Sequence, residues 1–199
     1  LMKHGQTITD TTSGVLKGVE EVLGEYRPDI VLVHGDTTTT FSAALAAFYQ
    51  KVAVGHVEAG LRTGNIYSPY PEEMNRMLTG RLASWHYAPT ELNRKNLLAE
   101  NVSDDNIIVT GNTVIDALYY VTEKEYEFES EELRKIDFEN ERVTLLTCHR
   151  RENWGEPMEN IFTAVRIIAE KYPDSKIIYP MHKNPLVRHT AKRQRGEPP

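Results

Sequence analysis

Short β-branched runs that end in small or polar residues, each followed by a helix-forming segment, recur along the chain and constrain its fold more than any other feature. Residues 30–33, Ile-Val-Leu-Val, are closed by His34-Gly35-Asp36 and lead through four threonines into Phe41-Ser42-Ala43-Ala44-Leu45-Ala46-Ala47-Phe48, which reads as strand, loop and helix. Residues 52–54 repeat the strand signal and end in Gly55-His56-Val57-Glu58-Ala59-Gly60. That spacing is one β-α-β unit, whose crossover is nearly always right-handed, so the two strands are expected as parallel neighbours. A helix is expected over 71–82, where Pro71 suits the first helical position and Glu72 and Glu73 suit the positive end of the dipole. Strands at 84–87 and 107–110 follow, separated by a helix over 91–100 with Thr90 as its cap. Residues 119–142 are acidic and carry no strand signal, and read as a connecting helix and a linker. Strand signals return at 143–147 and 176–179 around a helix over 158–171. The basic stretch 188–199, ending Gly-Glu-Pro-Pro, reads as a poor end for a packed domain. The expectation is an α/β chain with two parallel-sheet regions joined near residue 130.

Composition narrows the function. With 29 acidic against 23 basic residues and a net charge of −6, a general affinity for nucleic-acid phosphates is not expected. No apolar run approaches the roughly 20 residues of a membrane-spanning helix, and Leu1-Met2-Lys3-His4-Gly5 lacks the apolar core of a signal peptide. Cys148 is the single cysteine, which excludes an internal disulfide and a multi-cysteine zinc site and fits a reducing cytoplasm.

Ligands of open parallel sheets bind at the carboxyl ends of the strands. Asp36, Glu58, Asn112, His149 and His182 each fall at or just past the end of a different expected strand, which implies two half-sites facing a cleft. Each has a plainer reading as well. Asp36 opens a helix whose free N–H groups bind an anion, or belongs to a threonine-rich cap. Glu58 is functional, or an ion-pair partner of Arg62. Glu72 and Glu73 are functional, or only complement the helix dipole. His149-Arg150-Arg151-Glu152-Asn153 offers an imidazole and two guanidinium groups to a diphosphate, or forms a surface salt-bridge cluster with Glu152. His182 is a ligand group or a hydrogen-bonded structural histidine. No His-x-x-x-His or His-Glu-x-x-His spacing supports a metal site. A Cys148–His149 dyad is disfavoured because neighbours in a strand point to opposite faces. Neither a Gly-x-Gly-x-x-Gly nor a P-loop segment is present.

Taken together, His34-Gly35-Asp36-Thr37-Thr38-Thr39, Gly55-His56-Val57-Glu58-Ala59-Gly60-Leu61-Arg62-Thr63, Pro71-Glu72-Glu73-Met74-Asn75-Arg76, Thr110-Gly111-Asn112-Thr113-Val114-Ile115-Asp116-Ala117-Leu118 and His149-Arg150-Arg151-Glu152-Asn153 resemble the non-hydrolysing UDP-N-acetylglucosamine 2-epimerases. The resemblance spans about residues 2–189. It implies a GT-B-like α/β fold of two Rossmann-like parallel-sheet domains flanking a nucleotide-sugar cleft. Residues 1–120 would be the remainder of the N-terminal domain, 121–142 a connection and 143–199 the beginning of the C-terminal domain. The activity implied is reversible C2 epimerisation of UDP-N-acetylglucosamine to UDP-N-acetylmannosamine for cell-surface polysaccharide precursors. A cytoplasmic homodimer is implied, without cofactor, metal, nucleic-acid or membrane partner. By motif match Asp36, Glu58, Glu72 and His149 fall on catalytic positions. Gln6, Glu72, Arg150 and His182 match positions that line a second UDP-N-acetylglucosamine site, where the ligand acts as activator. Gly5 stands before Gln6 where some members carry arginine.

The resemblance also implies the chemistry. The C2 proton is not beside a carbonyl, so loss of UDP from C1 comes first, and re-addition to bound 2-acetamidoglucal with protonation from the opposite face gives the epimer. His149 and Arg150 would assist the diphosphate, while Asp36, Glu58 and Glu72 divide base, acid and electrostatic roles. Rivals are a hydrolysing epimerase, a GT-B glycosyltransferase and an inactive remnant. The last follows from segments missing at both ends: Gly-Thr-Arg-Pro-Glu at the start, and Asp-Ser-Gly-Gly and Arg-Asp-Thr-Thr-Glu-Arg-Pro-Glu at the end. Both domains are therefore expected to be incomplete, with exposed sheet edges prone to pairing.

Overall fold

The computed structural model of the chain describes residues 5–150 and 153–194. It divides into two compact units, Leu1–Lys124 and Glu125–Pro199.

In the first unit four strands, β1 (Ile30–His34), β2 (Ala53–Val57), β3 (Trp85–Ala88) and β4 (Ile107–Val109), lie side by side in sequence order. Every pairing is parallel, with Leu32 opposite Gly55, His56 opposite His86 and Tyr87 opposite Ile108. Helices α2 (Thr38–Tyr49), α3 (Glu72–Leu82) and α4 (Glu91–Ala99) connect them. Thr37 caps α2 by accepting from the Thr40 N–H at 3.2 Å, and Thr90 caps α4 in the same way from Asn93. Small residues let α2 approach the sheet: Ala44 and Ala47 pack on Val33 and Val54 in a core completed by Leu23. A second core joins Ala59, Ala88, Leu97 and Ile107. On the opposite sheet face Leu32, Trp85 and Ile108 stay exposed.

Two elements of the first unit depart from the sequence expectation. A helix not anticipated, α1 (Ile8–Tyr26), precedes β1, and Val15 and Leu23 are its buried residues. Its start is a capping box in which Thr7 Oγ1 accepts from Asp10 N at 3.0 Å and Asp10 Oδ2 accepts from Thr7 N at 2.9 Å, satisfying two donors that every helix start leaves open. Pro71 is the residue before α3 rather than its first turn.

After α5 (Thr113–Thr122) the second unit begins with a single turn, α6 (Glu131–Arg134). Strands β5 (Arg142–Leu145) and β6 (Ser175–Ile178) pair in parallel, linked by α7 (Glu156–Lys171). Cys148, Met158, Phe162, Val187 and Ala191 form its core. The last two belong to α8 (Pro185–Gln194), so the basic stretch from residue 188 is not a loose end through Gln194: a helix puts Val187 and Ala191, four residues apart, on one apolar face.

Candidate functional site

The end of β1 and the end of β2 meet through their loops. Gly35 N–H donates to Val57 O at 3.0 Å, and the buried His56 ring places Nε2 2.8 Å from Gly35 O. This fixes the turn that carries Asp36 against the strand that delivers Glu58. Glu58 has φ 69°, a left-handed conformation rare for a residue with a side chain. The turn brings its carboxylate back over β1, with Oε2 3.7 Å from His34 Nε2. The threonine cap leaves Asp36 out of the capping role, and its Oδ2 accepts from Arg76 Nη2 at 2.7 Å. The Asp36 carbonyl accepts from Asn75 Nδ2 at 3.0 Å. Asp36 and Glu58, far apart in sequence, thus share one rim with His34.

The ion pair considered between Glu58 and Arg62 does not form. Arg62 instead donates from Nε and Nη2 to the two carboxylate oxygens of Glu100, at 2.5 and 2.9 Å. The left-handed turn at Glu58 sends its carboxylate toward Gly35, whereas Arg62 reaches the end of α4. The Arg62 hydrogen bond holds the Glu100 carboxyl below its usual range.

Glu72 and Glu73 both lie in the first turn of α3, where the dipole favours them, but they differ in depth. Glu72 is half-buried. Glu73 is 1% exposed; its Oε1 accepts from the Thr63 and Gly64 N–H groups at 2.9 and 3.2 Å, and Arg76 Nη1 lies 3.2 Å from its Oε2. Glu73 and Arg76 had no distinct role in the sequence. The available signal was helical phase: 73, 76 and 80 fall on one face, and that face is buried although two of its members are charged. Gln6 is half-buried, one residue ahead of the Thr7 cap, and Asn112 caps α5 by accepting from Val114 N at 3.0 Å.

In the second unit His149 and His182, beyond the ends of β5 and β6, stack with ring centroids 5.3 Å apart and planes inclined by 21°. Trp154 Nε1 donates to His149 O at 3.3 Å, and Asn184 N donates to His182 Nδ1 at 3.1 Å. Arg150 is exposed beside them; Arg151 and Glu152 lie outside the described residues. Cys148 is buried and burial pushes its thiol up, so it is no nucleophile for the exposed His149. Among the described residues no three His, Cys, Asp or Glu side chains are grouped to hold a metal, and no helix is long and apolar enough to cross a membrane.

Under the rim the paired His56 and His86 are almost wholly buried. Burial lowers both, His86 to about 4, with the positive charge of its neighbours adding to the effect. Below pH 6.5 the unfolded chain protonates these imidazoles while the folded chain refuses the proton, so stability falls as pH drops. For His86 the expected loss is about 1.4 kcal/mol per pH unit and runs from pH 6.5 to about 4; His56 acts in the same direction. Melts between pH 7.5 and 4.5 should show it, and His86→Leu should flatten the slope; a melting temperature constant over that window would contradict the buried neutral pair.

Comparisons with known proteins identify the family and the fold. The family model described as UDP-N-acetylglucosamine 2-epimerase matches residues 1–197. The UDP-N-acetylglucosamine 2-epimerase of Bacillus subtilis is 51% identical over 99% of this chain and 51% of its own length. That of Escherichia coli K12 is 50% identical over 98% and 54%. The crystal structure of UDP-GlcNAc 2-epimerase from Neisseria meningitidis, bound to UDP-GlcNAc, superposes with a TM-score of 0.91 at 46% identity, covering 100% of this chain and 57% of that one. The chain therefore spans about half the length of the relatives it matches.

Proposed function

The chain belongs to the UDP-N-acetylglucosamine 2-epimerase family, and from that premise we propose that its carboxylate rim carries out reversible C2 epimerisation of UDP-N-acetylglucosamine. The observation that supports this reading best is the meeting of Asp36 and Glu58 at adjoining strand ends, beside the helix that Glu72 begins. Elimination of UDP from C1 needs an acceptor for the C2 proton, a group that stabilises cationic character at C1 and the ring oxygen, and donors for the departing diphosphate. Asp36, Glu58 and Glu72 are proposed to share the first two tasks, and His149 and Arg150 to take the third. Bound 2-acetamidoglucal then accepts UDP again with protonation at the opposite face. A carboxylate held over a strand end can exchange a proton in this way because its loop, and not the substrate, fixes its position.

Activation by a second UDP-N-acetylglucosamine at Gln6, Glu72, Arg150 and His182, a homodimeric state, and supply of polysaccharide precursors in the cytoplasm complete the proposal. The test is incubation of the purified chain with UDP-N-acetylglucosamine in deuterated water, followed by NMR. Deuterium at C2 together with the manno epimer and little net UDP is the expected result. UDP accumulating in step with free sugar would turn the reading to hydrolysis, and no exchange from a cooperatively folded sample would overturn it for this chain.

A further inference from the structure

We infer that Glu73 and Arg76 form a positioning relay that sets the orientation of the Asp36 carboxylate; the inference rests on the epimerase reading of the Asp36 rim. The relay starts at the Thr63–Gly64 backbone, whose N–H groups hold Glu73 Oε1 at 2.9 and 3.2 Å. It passes from Glu73 Oε2, a buried atom with no hydrogen-bond partner among the described residues, to Arg76 Nη1 as an ion pair at 3.2 Å, and then by a hydrogen bond from Arg76 Nη2 to Asp36 Oδ2 at 2.7 Å. The guanidinium is planar, so its two Nη groups hold the buried carboxylate and the rim carboxylate in one fixed relation that a lysine cannot reproduce. Asn75, one residue before, secures the Asp36 carbonyl at 3.0 Å. Main chain and side chain of Asp36 are thus held from consecutive residues of α3.

Three observations separate this from an ordinary stabilising ion pair. Glu73 is 1% exposed and the Arg76 side chain 10%, and burying such charges costs about as much as their attraction returns. Arg76 Nε is buried without a hydrogen-bond partner among the described residues, so the guanidinium is not placed to satisfy its own donors. Its Nη groups alone are used, and one of them reaches Asp36, whose side chain is 28% exposed and stands at the rim. The relay also links the loop after β2, where Glu58 sits, to the loop after β1, so the two rim carboxylates share a mechanical reference. Glu73 and Arg76 touch no reacting atom in this scheme and act through Asp36.

The test combines one spectroscopic and one kinetic reading on the full chain. With aspartate carboxyl groups labelled with ¹³C, the Asp36 resonance, assigned by its loss in Asp36→Asn, is expected to move in Glu73→Gln, although that substitution is two links away. Arg76→Lys is expected to lower kcat for C2 deuterium exchange about 100-fold, the scale of a misplacement near 1 Å, with KM changing less than threefold. On the Asp36→Asn background the same substitution is expected to change kcat less than twofold. An unmoved Asp36 resonance in folded Glu73→Gln, or the full 100-fold loss on the Asp36→Asn background, would overturn the relay. Should Glu73→Gln not fold, the resonance is read in Arg76→Lys. A native chain without exchange defeats the epimerase reading, whereas the resonance still decides the relay.

Discussion

Glu58→Gln is expected to slow C2 epimerisation by about 100- to 10,000-fold, the usual contribution of a positioned acid or base, while leaving the melting temperature nearly unchanged. Glutamine keeps the volume and planarity of the side chain and removes its charge and its ability to take a proton. The fold has little at stake in the substitution, because the Glu58 side chain is 29% exposed and its neighbour, His34 Nε2, lies at 3.7 Å, too far for a strong hydrogen bond. The left-handed turn at φ 69° belongs to the backbone and suits glutamine no worse than glutamate. A large kinetic loss with an intact fold is therefore the signature of direct participation. Asp36→Asn is expected to lose a similar factor, but with some cost to stability, since Arg76 then faces an uncharged partner. Deuterium exchange at C2 and thermal melts measured on the same samples separate the two. Turnover within twofold of the native rate in Glu58→Gln would remove Glu58 from the chemistry.

Gly60→Ala should be the most damaging conservative change in the first unit. Gly60 has φ +86°, and a Cβ there would lie 2.3 Å from Asn93 O and 2.8 Å from Asn93 C. Both are backbone atoms of α4, so no side chain can swing aside. The left-handed conformation costs an alanine about 1–2 kcal/mol, and overpacking against backbone adds about 1–3 kcal/mol. The damage spreads because Ala59 N–H donates to Tyr87 O at 3.0 Å and Asn96 Nδ2 donates to Gly60 O at 2.9 Å, so the same turn ties β2 to β3 and to α4. A fall in melting temperature of roughly 10 °C or more is expected. Gly18→Ala provides the contrast, since Gly18 lies inside α1 with nothing within 4 Å of an added Cβ, and alanine there should stabilise by about 0.5–1 kcal/mol. Equal melting temperatures for the two variants would contradict the close packing of Gly60 on α4.

The alternation of strand and helix was legible because each strand's apolar run stops at a turn residue, and the parallel pairing of β1 with β2 was legible from the short helical segment between them. What escaped was structure whose burial is sparse. Helix α1 presents only Val15 and Leu23 as buried residues, and its apolar positions are interrupted by Gly14, Gly18 and Gly24. Helix α8 sinks Val187 and Ala191 between basic residues. At the candidate site, the placement of Asp36 and Glu58 just past strand ends and of Glu72 in the first turn of α3 was legible. Glu73 could not be told from Glu72, because composition does not say which of two adjacent glutamates faces inward. That is decided by the turn of α3, whose buried side is lined by Glu73, Asn75, Arg76, Thr79 and Gly80 in place of the apolar stripe that periodicity detects. The Arg62–Glu100 pair was hidden for a related reason: its partners are 38 residues apart, and only the fold makes them neighbours.

The two hydrogen bonds from Thr63 and Gly64 to Glu73 also turn the intervening segment into a closed ring of about ten residues. Joining the ends of a flexible ring of that size costs about 2 kcal/mol of chain entropy, and here the closure is complete before any ligand arrives. Tyr67 and Tyr70, stacked at 6.3 Å and exposed on this segment, are thus offered to solvent from a ring whose ends are already anchored. A molecule that met them would order two aromatic side chains and not an entire loop, and more of its contact energy would remain as affinity.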